Sequence, residues 1–285
     1  FGFLLFCGAL GGFLAHRMSW LPSITGFMLV GLLAGPNVLG IFDHQSLEQA
    51  RIVVDIALAL ILYRLGLSLD IKTLLQNRAL LAVSLVESTL SFAAVYFAMT
   101  WMGVSPMIAS VVAAIGISSS PAVLLHVSHE LGAHGRTTDT AQALVALNNV
   151  LAFLVFAALM PMLYSSDAAP LSKVLGAPLY QLMGSTLLGL ILGWALHWVA
   201  RMTRQAPQYS LALVVGAVAM TLGLALTFGL SALFAPLVLG VVVRTTEKRD
   251  LIAKLEFGPA FELFFVALFV YAGANLHLKE MVAFA

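Results

Sequence analysis

The chain comprises 285 residues, 61% of them hydrophobic and only 9% charged, with a formal net charge of +1 and a mean hydropathy of +1.01. Soluble domains carry about 25% charged residues, so the composition excludes a soluble domain. With no basic cluster interleaved with aromatics, it also excludes a nucleic-acid partner. The single cysteine, Cys7, excludes an internal disulfide and a cysteine metal cage.

Apolar runs near the ~20 residues needed to cross hydrocarbon recur along the chain and predict an all-α polytopic membrane protein. Ten spans are expected, at 2–16, 22–40, 52–69, 78–101, 106–131, 140–162, 178–200, 209–228, 230–244 and 258–275. Connections are short and no soluble domain interrupts them. Lys and Arg favour cytoplasmic loops. With Phe1 outside, the inner loops hold Arg17, Lys72, Arg78, Arg136, Arg201, Arg204, Arg244, Lys248, Arg249 and Lys254. The outer loops hold Arg51, Lys173 and Lys279, and Arg64 falls inside a span. This asymmetry predicts an outside N-terminus. No cleavable signal peptide is visible, and the start at Phe1 suggests that the natural N-terminus lies upstream.

A faint internal repeat is present. Gly66-Leu67-Ser68-Leu69-Asp70-Ile71-Lys72 closes the third span, and Gly273-Ala274-Asn275-Leu276-His277-Leu278-Lys279 closes the tenth. Counting back from these glycines places Asp55 opposite Glu262 and Gly31 opposite Gly240. By the charge pattern the first copy ends inside and the second outside, so the repeat is of inverted topology, a hallmark of secondary transporters. Residues 1–164 are then the first repeat with its core helices, and 165–285 a linking helix plus an incomplete second repeat. Three further spans, roughly 90 residues by analogy with the first copy, are expected beyond Ala285.

Within 106–131, Gly116-Ile117-Ser118-Ser119-Ser120-Pro121 interrupts the helical pattern. Pro121 lacks an N–H and clashes with the preceding turn. Broken helices at membrane depth persist only where protein or a watery cavity supports them. The freed carbonyls and the hydroxyls of Ser118, Ser119 and Ser120 are oxygen ligands suited to a hard monovalent cation. The alternative is a kinked helix whose serines bond back to its own backbone. In the next span, 140–162, Asn148 and Asn149 need partners. They would meet the break, or serve as interhelical glue. Among intramembrane charges, Arg64 and Glu87 lie in consecutive spans and are expected to pair, for function or for packing. Glu262 and Asp55 lie nearer the starts of their spans, where a carboxylate also suits the helix dipole. His126 and His129 share a helix face near the inner end of the fifth span; a pH-sensing role is weighed against no role. No nucleophile motif, phosphate loop or metal-ligand spacing is found, so neither an enzyme nor a cofactor is expected.

The ordered motifs resemble the monovalent cation:proton antiporters, specifically their second group within the sodium/hydrogen exchanger superfamily. Leu21-Pro22-Ser23-Ile24-Thr25-Gly26 through Gly31 and Ala34-Gly35-Pro36-Asn37-Val38-Leu39-Gly40 resemble that family's second-helix signature. Tyr63 to Asp70 is similar to its helix ending F-x-x-G-L-x-L-D, Ser119 to Val123 to its unwound helix, and Phe264 to Leu276 to F-F-x-x-x-G-x-x-L. The resemblance implies an inverted-repeat antiporter fold of twelve or thirteen helices, about ten of them present here. It further implies a homodimer, elevator-like alternating access, and two crossing unwound helices, of which only 106–131 falls within the chain. The family's ion-binding aspartate maps to Asn149, an amide that cannot titrate. Glu87 and Glu262 are therefore the proton-coupling candidates.

The resulting expectation is a secondary transporter in a bacterial inner membrane that exchanges Na+ or K+ for protons. Ser118, Ser119, Ser120, Asn148 and Asn149 would bind the cation. The alternatives are a transport-inactive scaffold or sensor derived from that fold, and a proton-uncoupled transporter of another solute.

Overall fold

The computed structural model describes residues 2–17, 22–69, 77–164, 171–202, 209–246 and 258–276. Its helices, in chain order, are α1 (Gly2–Arg17), α2 (Ser23–Ala34), α3 (His44–Ser68), α4 (Arg78–Trp101), α5 (Pro106–Gly116), α6 (Pro121–Glu130), α7 (Arg136–Tyr164), α8 (Leu171–Met202), α9 (Ser210–Thr227), α10 (Phe234–Thr246) and α11 (Gly258–Ala274). Every expected span coincides with a helix, or with two in the case of 106–131. Among the described residues, five stretches are long and apolar enough to cross a membrane: Arg78–Trp101, Pro106–Glu130, Arg136–Phe156, Leu179–Met202 and Ser210–Thr227.

Some boundaries differ from the sequence reading for local reasons. The second span was expected to reach residue 40, but α2 stops at Ala34. Pro36 disfavours helical backbone at Gly35. The chain turns there instead, with the amides of Leu39, Gly40 and Phe42 donating to the carbonyls of Leu33, Gly35 and Ala34. Gly40 takes φ +64°, the left-handed conformation that glycine tolerates best. The third helix begins earlier than expected, at His44, where the Asp43 carboxylate accepts from the Ser46 amide at 2.9 Å as an N-cap. Asp55 is therefore not a helix-start residue. It faces Arg51 one turn earlier, 3.9 Å away and half exposed, where an ion pair contributes little.

The chain divides into two compact units, Phe1–Leu60 with Glu256–Ala285, and Ile61–Leu255. In the first, α1, α2 and α11 pack against one another. Glycines set their closest approaches. A Cβ on Gly31 would overlap the Val270 carbonyl, and one on Gly273 the Met28 carbonyl. Small residues at such crossings let helix backbones touch, which matters where lipid supplies no hydrophobic drive for association. Asn37 Nδ2 donates to the Leu276 carbonyl at 2.9 Å, tying the turn after α2 to the end of α11.

In the second unit, α4, α5, α6 and α7 form one cluster, and α8, α9 and α10 pack beside it through α7 and α8. The end of α3 is buried here, with Ile61, Tyr63 and Leu65 fully covered. It crosses α10 through another pair of glycines. A Cβ on Gly240 would overlap the Tyr63 carbonyl, and one on Gly66 the Leu237 carbonyl. Gly216 on α9, by contrast, has open space where a Cβ would stand.

Substituting valine at Gly240 forces α10 off α3 and is expected to destabilise the protein by about 1–3 kcal/mol. The melting temperature in detergent should fall by at least ~3 °C. Gly216→Ala should leave it unchanged or slightly raised, because alanine restricts the unfolded chain and favours helix. Equal melting temperatures for the two variants would contradict the close crossing.

Candidate functional site

The helix break lies where the serine-proline run places it. α5 ends at Gly116 with Ile117 as its C-cap, still in right-handed helical backbone, and α6 begins at Pro121, with Ser118 to Ser120 between them outside the helices. The last turn of α5 tightens: the Ile117 and Ser118 amides donate to the carbonyls of Ala114 and Ile115 at 3.4 and 3.0 Å. Pro121 has no N–H to return to Ile117. Ser120 opens α6 as its N-cap, its hydroxyl accepting from the Val123 amide at 3.3 Å. That bond takes the Val123 N–H away from Ser119, whose carbonyl would otherwise receive it.

Asn149 fills the gap. Its Nδ2 donates to the Ser119 carbonyl at 2.7 Å and to the carbonyl of Val145, one turn back on α7, at 2.8 Å. Its Oδ1 accepts from the Ser118 hydroxyl at 2.7 Å. The two acceptors on Nδ2 fix which end of the amide is which. A single side chain thus joins α7 to the unwound segment through both ends of its amide. The C-terminus of α5 and the N-terminus of α6 bring partial negative and positive charge to the same place.

Asn148 does not take part. One residue along a helix is a rotation of about 100°, and Asn148 faces α4 instead. It is buried, with Oδ1 accepting from the Ser84 hydroxyl at 2.7 Å and from Ser88 at 3.3 Å. The expectation that both amides meet the break thus separates into two clusters, one at the break and one between α4 and α7. Ser84 and Ser88 escaped the sequence reading. Their spacing of four, which puts two hydroxyls on one face of an apolar helix, was the signal available.

The remaining candidates lie elsewhere. Glu87 is exposed on α4, and Glu262 is exposed near the start of α11. Arg64 is half buried on α3, and Glu87 makes no ion pair with it among the described residues. His126 is buried, 3.8 Å from Glu130 on its own helix, whereas His129 is exposed. The two histidines therefore sit in different surroundings despite their spacing.

Chemically, the break offers the Ser119 and Val145 carbonyls, the Ser118 hydroxyl and the Asn149 amide within one small volume. These are neutral oxygen donors of the kind that hard cations accept, with an amide NH2 at present directed at the two carbonyls. Nothing here titrates near neutral pH.

Residues 2–284 match the family described as "Sodium/hydrogen exchanger, transmembrane". The chain is 23% identical over 280 residues to the Na(+)/H(+)-K(+) antiporter GerN of Bacillus cereus, covering 96% of this chain and 70% of that protein. Its fold is similar to the solved structure of the sodium proton antiporter MjNhaP1 from Methanocaldococcus jannaschii. That likeness has a TM-score of 0.71 at 21% identity and covers 99% of this chain and 70% of the other.

Ser84→Ala removes the shorter of the two bonds to Asn148 and should cost more stability than Ser88→Ala. The double variant should lose about 0.6–2 kcal/mol, seen as a lower melting temperature in detergent. A double variant as stable as the parent would show that these bonds are worth nothing in this packing.

Proposed function

Since the chain belongs to the transmembrane sodium/hydrogen exchanger family, we propose that it is a secondary active transporter exchanging a monovalent cation, Na+ or K+, for protons by alternating access. The observation that carries this reading is the break between α5 and α6, bridged by Asn149 through Ser118 and Ser119. A discontinuous helix at membrane depth is where transporters of this kind hold their ions. The names of the two similar proteins, one an Na+/H+–K+ antiporter and the other a sodium proton antiporter, point the same way.

Two glycine crossings support the inverted repeat. Gly31 approaches the residue three before Gly273, and Gly273 the residue three before Gly31. Gly240 approaches the residue three before Gly66, and Gly66 the residue three before Gly240. This is the same register, with the roles that the sequence repeat assigns: Gly31 to Gly240 and Gly66 to Gly273. On this reading 1–164 is the first repeat with its core helices and 165–285 a linking helix plus an incomplete second repeat, the protein is a homodimer, and its N-terminus faces outward in a bacterial plasma membrane.

The cation would enter by displacing the Asn149 amide hydrogens from the Ser119 and Val145 carbonyls and taking those oxygens with the Ser118 hydroxyl. Ser120, engaged as the N-cap of α6, would contribute less. Because an amide neither gains nor loses a proton at physiological pH, the coupling proton would ride on a carboxylate elsewhere, Glu262 or Glu87. The same contacts favour a second reading. An amide whose two N–H groups already satisfy both carbonyls makes a neutral, self-contained site, as a proton-uncoupled transporter or an inactive scaffold would require.

Proteoliposomes containing an internal pH dye separate the readings. Exchange is expected to show proton movement that depends on an imposed Na+ or K+ gradient and falls at least tenfold in Asn149→Leu. Flux indifferent to internal pH supports the uncoupled reading, and no flux of any solute the scaffold. Asn149→Asp gives a sharper check. It puts a titratable carboxyl against the carbonyl oxygens now 2.7 and 2.8 Å from Nδ2. Cation affinity in that variant should then increase with pH while the carboxyl is losing its proton, by up to about tenfold per unit, while the parent stays flat. A parent whose affinity climbs as steeply would place the titrating group elsewhere in the site.

A further inference from the structure

The groups that bond across the break are all neutral. Ser119 and Val145 offer backbone carbonyls, Ser118 a hydroxyl and Asn149 the Oδ1 of its amide. Val145 lies within the continuous helix α7, where a carbonyl also receives the N–H four residues on. Only part of its hydrogen-bonding capacity is left for an ion.

Which monovalent cation such a set prefers is a balance between dehydration and ligation. Na+ is smaller than K+, so it is harder to strip of water and is drawn more strongly by its ligands. A carboxylate touching the ion offsets the extra dehydration of Na+, because the attraction of a full charge grows as the separation shrinks. Carbonyl and hydroxyl dipoles return less. A site built from them alone favours the ion that gives up its water more readily.

The spacing points the same way. The Asn149 amide nitrogen stands 2.7 Å from the Ser119 carbonyl oxygen and 2.8 Å from that of Val145. K+ meets carbonyl oxygens at such separations, whereas Na+ draws them several tenths of an ångström closer. An ion taking the place of this nitrogen therefore finds both oxygens where K+ needs them. Contraction onto Na+ would move the break against α7. The segment carrying Ser119 continues from α5, which packs against α4 and α7 with Ala109, Ala113 and Ala114 fully covered. At its end a Cβ on Gly116 would stand 3.0 Å from Val95 Cγ2. Interiors packed this closely yield little.

We propose that Asn149 is a specificity-determining residue, its neutral amide making the break select K+ over Na+. As a statement about transport this rests on the exchange reading above; as a statement about binding it needs no proton movement.

The test is saturable thermal stabilisation of the purified full-length protein in detergent by the chlorides of K+, Na+ or ammonium, with choline chloride holding the ionic strength constant. K+ is expected to reach half-saturation at a concentration about tenfold below that of Na+. In Asn149→Asp, at a pH where the new carboxyl is ionised, that ratio should shrink by at least ~3-fold in favour of Na+. In Ser118→Ala, which leaves every remaining group neutral, both ions should bind more weakly with K+ still ahead. Equal half-saturation in the parent, tighter binding of Na+, or no saturable stabilisation by either ion overturns the proposal. Tighter binding of ammonium than of K+ also overturns it, by assigning the site to a hydrogen-bond donor. A ratio unchanged by Asn149→Asp, or a preference lost in Ser118→Ala, takes the determinant away from Asn149. The same ions are then applied to proteoliposomes holding a pH dye. K+ preference in detergent without K+-driven proton movement upholds the selectivity and overturns the exchange reading alone.

Discussion

Everything at the site follows from a backbone that has lost its own partners. A helix crossing a bilayer satisfies each carbonyl from within, and there is no water to substitute where it does not. Pro121 withholds one N–H, and Ser120 diverts another by capping α6. The Ser119 carbonyl must then be met from outside the segment, and the Asn149 amide meets it. Only a side chain with donors on one end and an acceptor on the other can serve Ser119, Val145 and Ser118 together. Asparagine does this at neutral charge. An ionised aspartate in its place would leave two carbonyls facing a third oxygen, a set stable only with a proton or a cation among them.

The glycine crossings depend on the same scarcity of driving force. Between membrane helices, association rests on close packing and polar contacts. Gly31 and Gly273 in one unit, and Gly66 and Gly240 in the other, each remove a side chain where two backbones meet. The charged or polar ends of these helices differ between the two units. The crossings do not, so backbone approach is the feature the two units share.

How much was legible in the sequence depends on whether a feature is local. The interruption at Gly116–Pro121 could be read directly, because proline and capping serine act within one turn. Helix positions could be read from apolar runs. The early start of α3 was missed because residues 44 to 51 are polar enough to read as a loop, while Asp43 caps them into helix. The end of α2 was missed because Val38 and Leu39 prolong the apolar run past a proline that stops it. What two neighbouring amides do was beyond pattern reading. Asn148 and Asn149 are alike in type, depth and sequence context, and their partners lie on different helices at distances in sequence of 60 or more and about 30.

That divergence between adjacent amides carries the last step. Asn149 bonds to the Ser118 hydroxyl and the Ser119 carbonyl, in the segment where the helix is broken. Asn148 accepts from two hydroxyls on α4, a continuous helix, and nothing at the break depends on it. The first ties α7 to the unwound segment; the second ties α7 to α4. Side chains one residue apart can divide these tasks only because a helix turns them onto different faces.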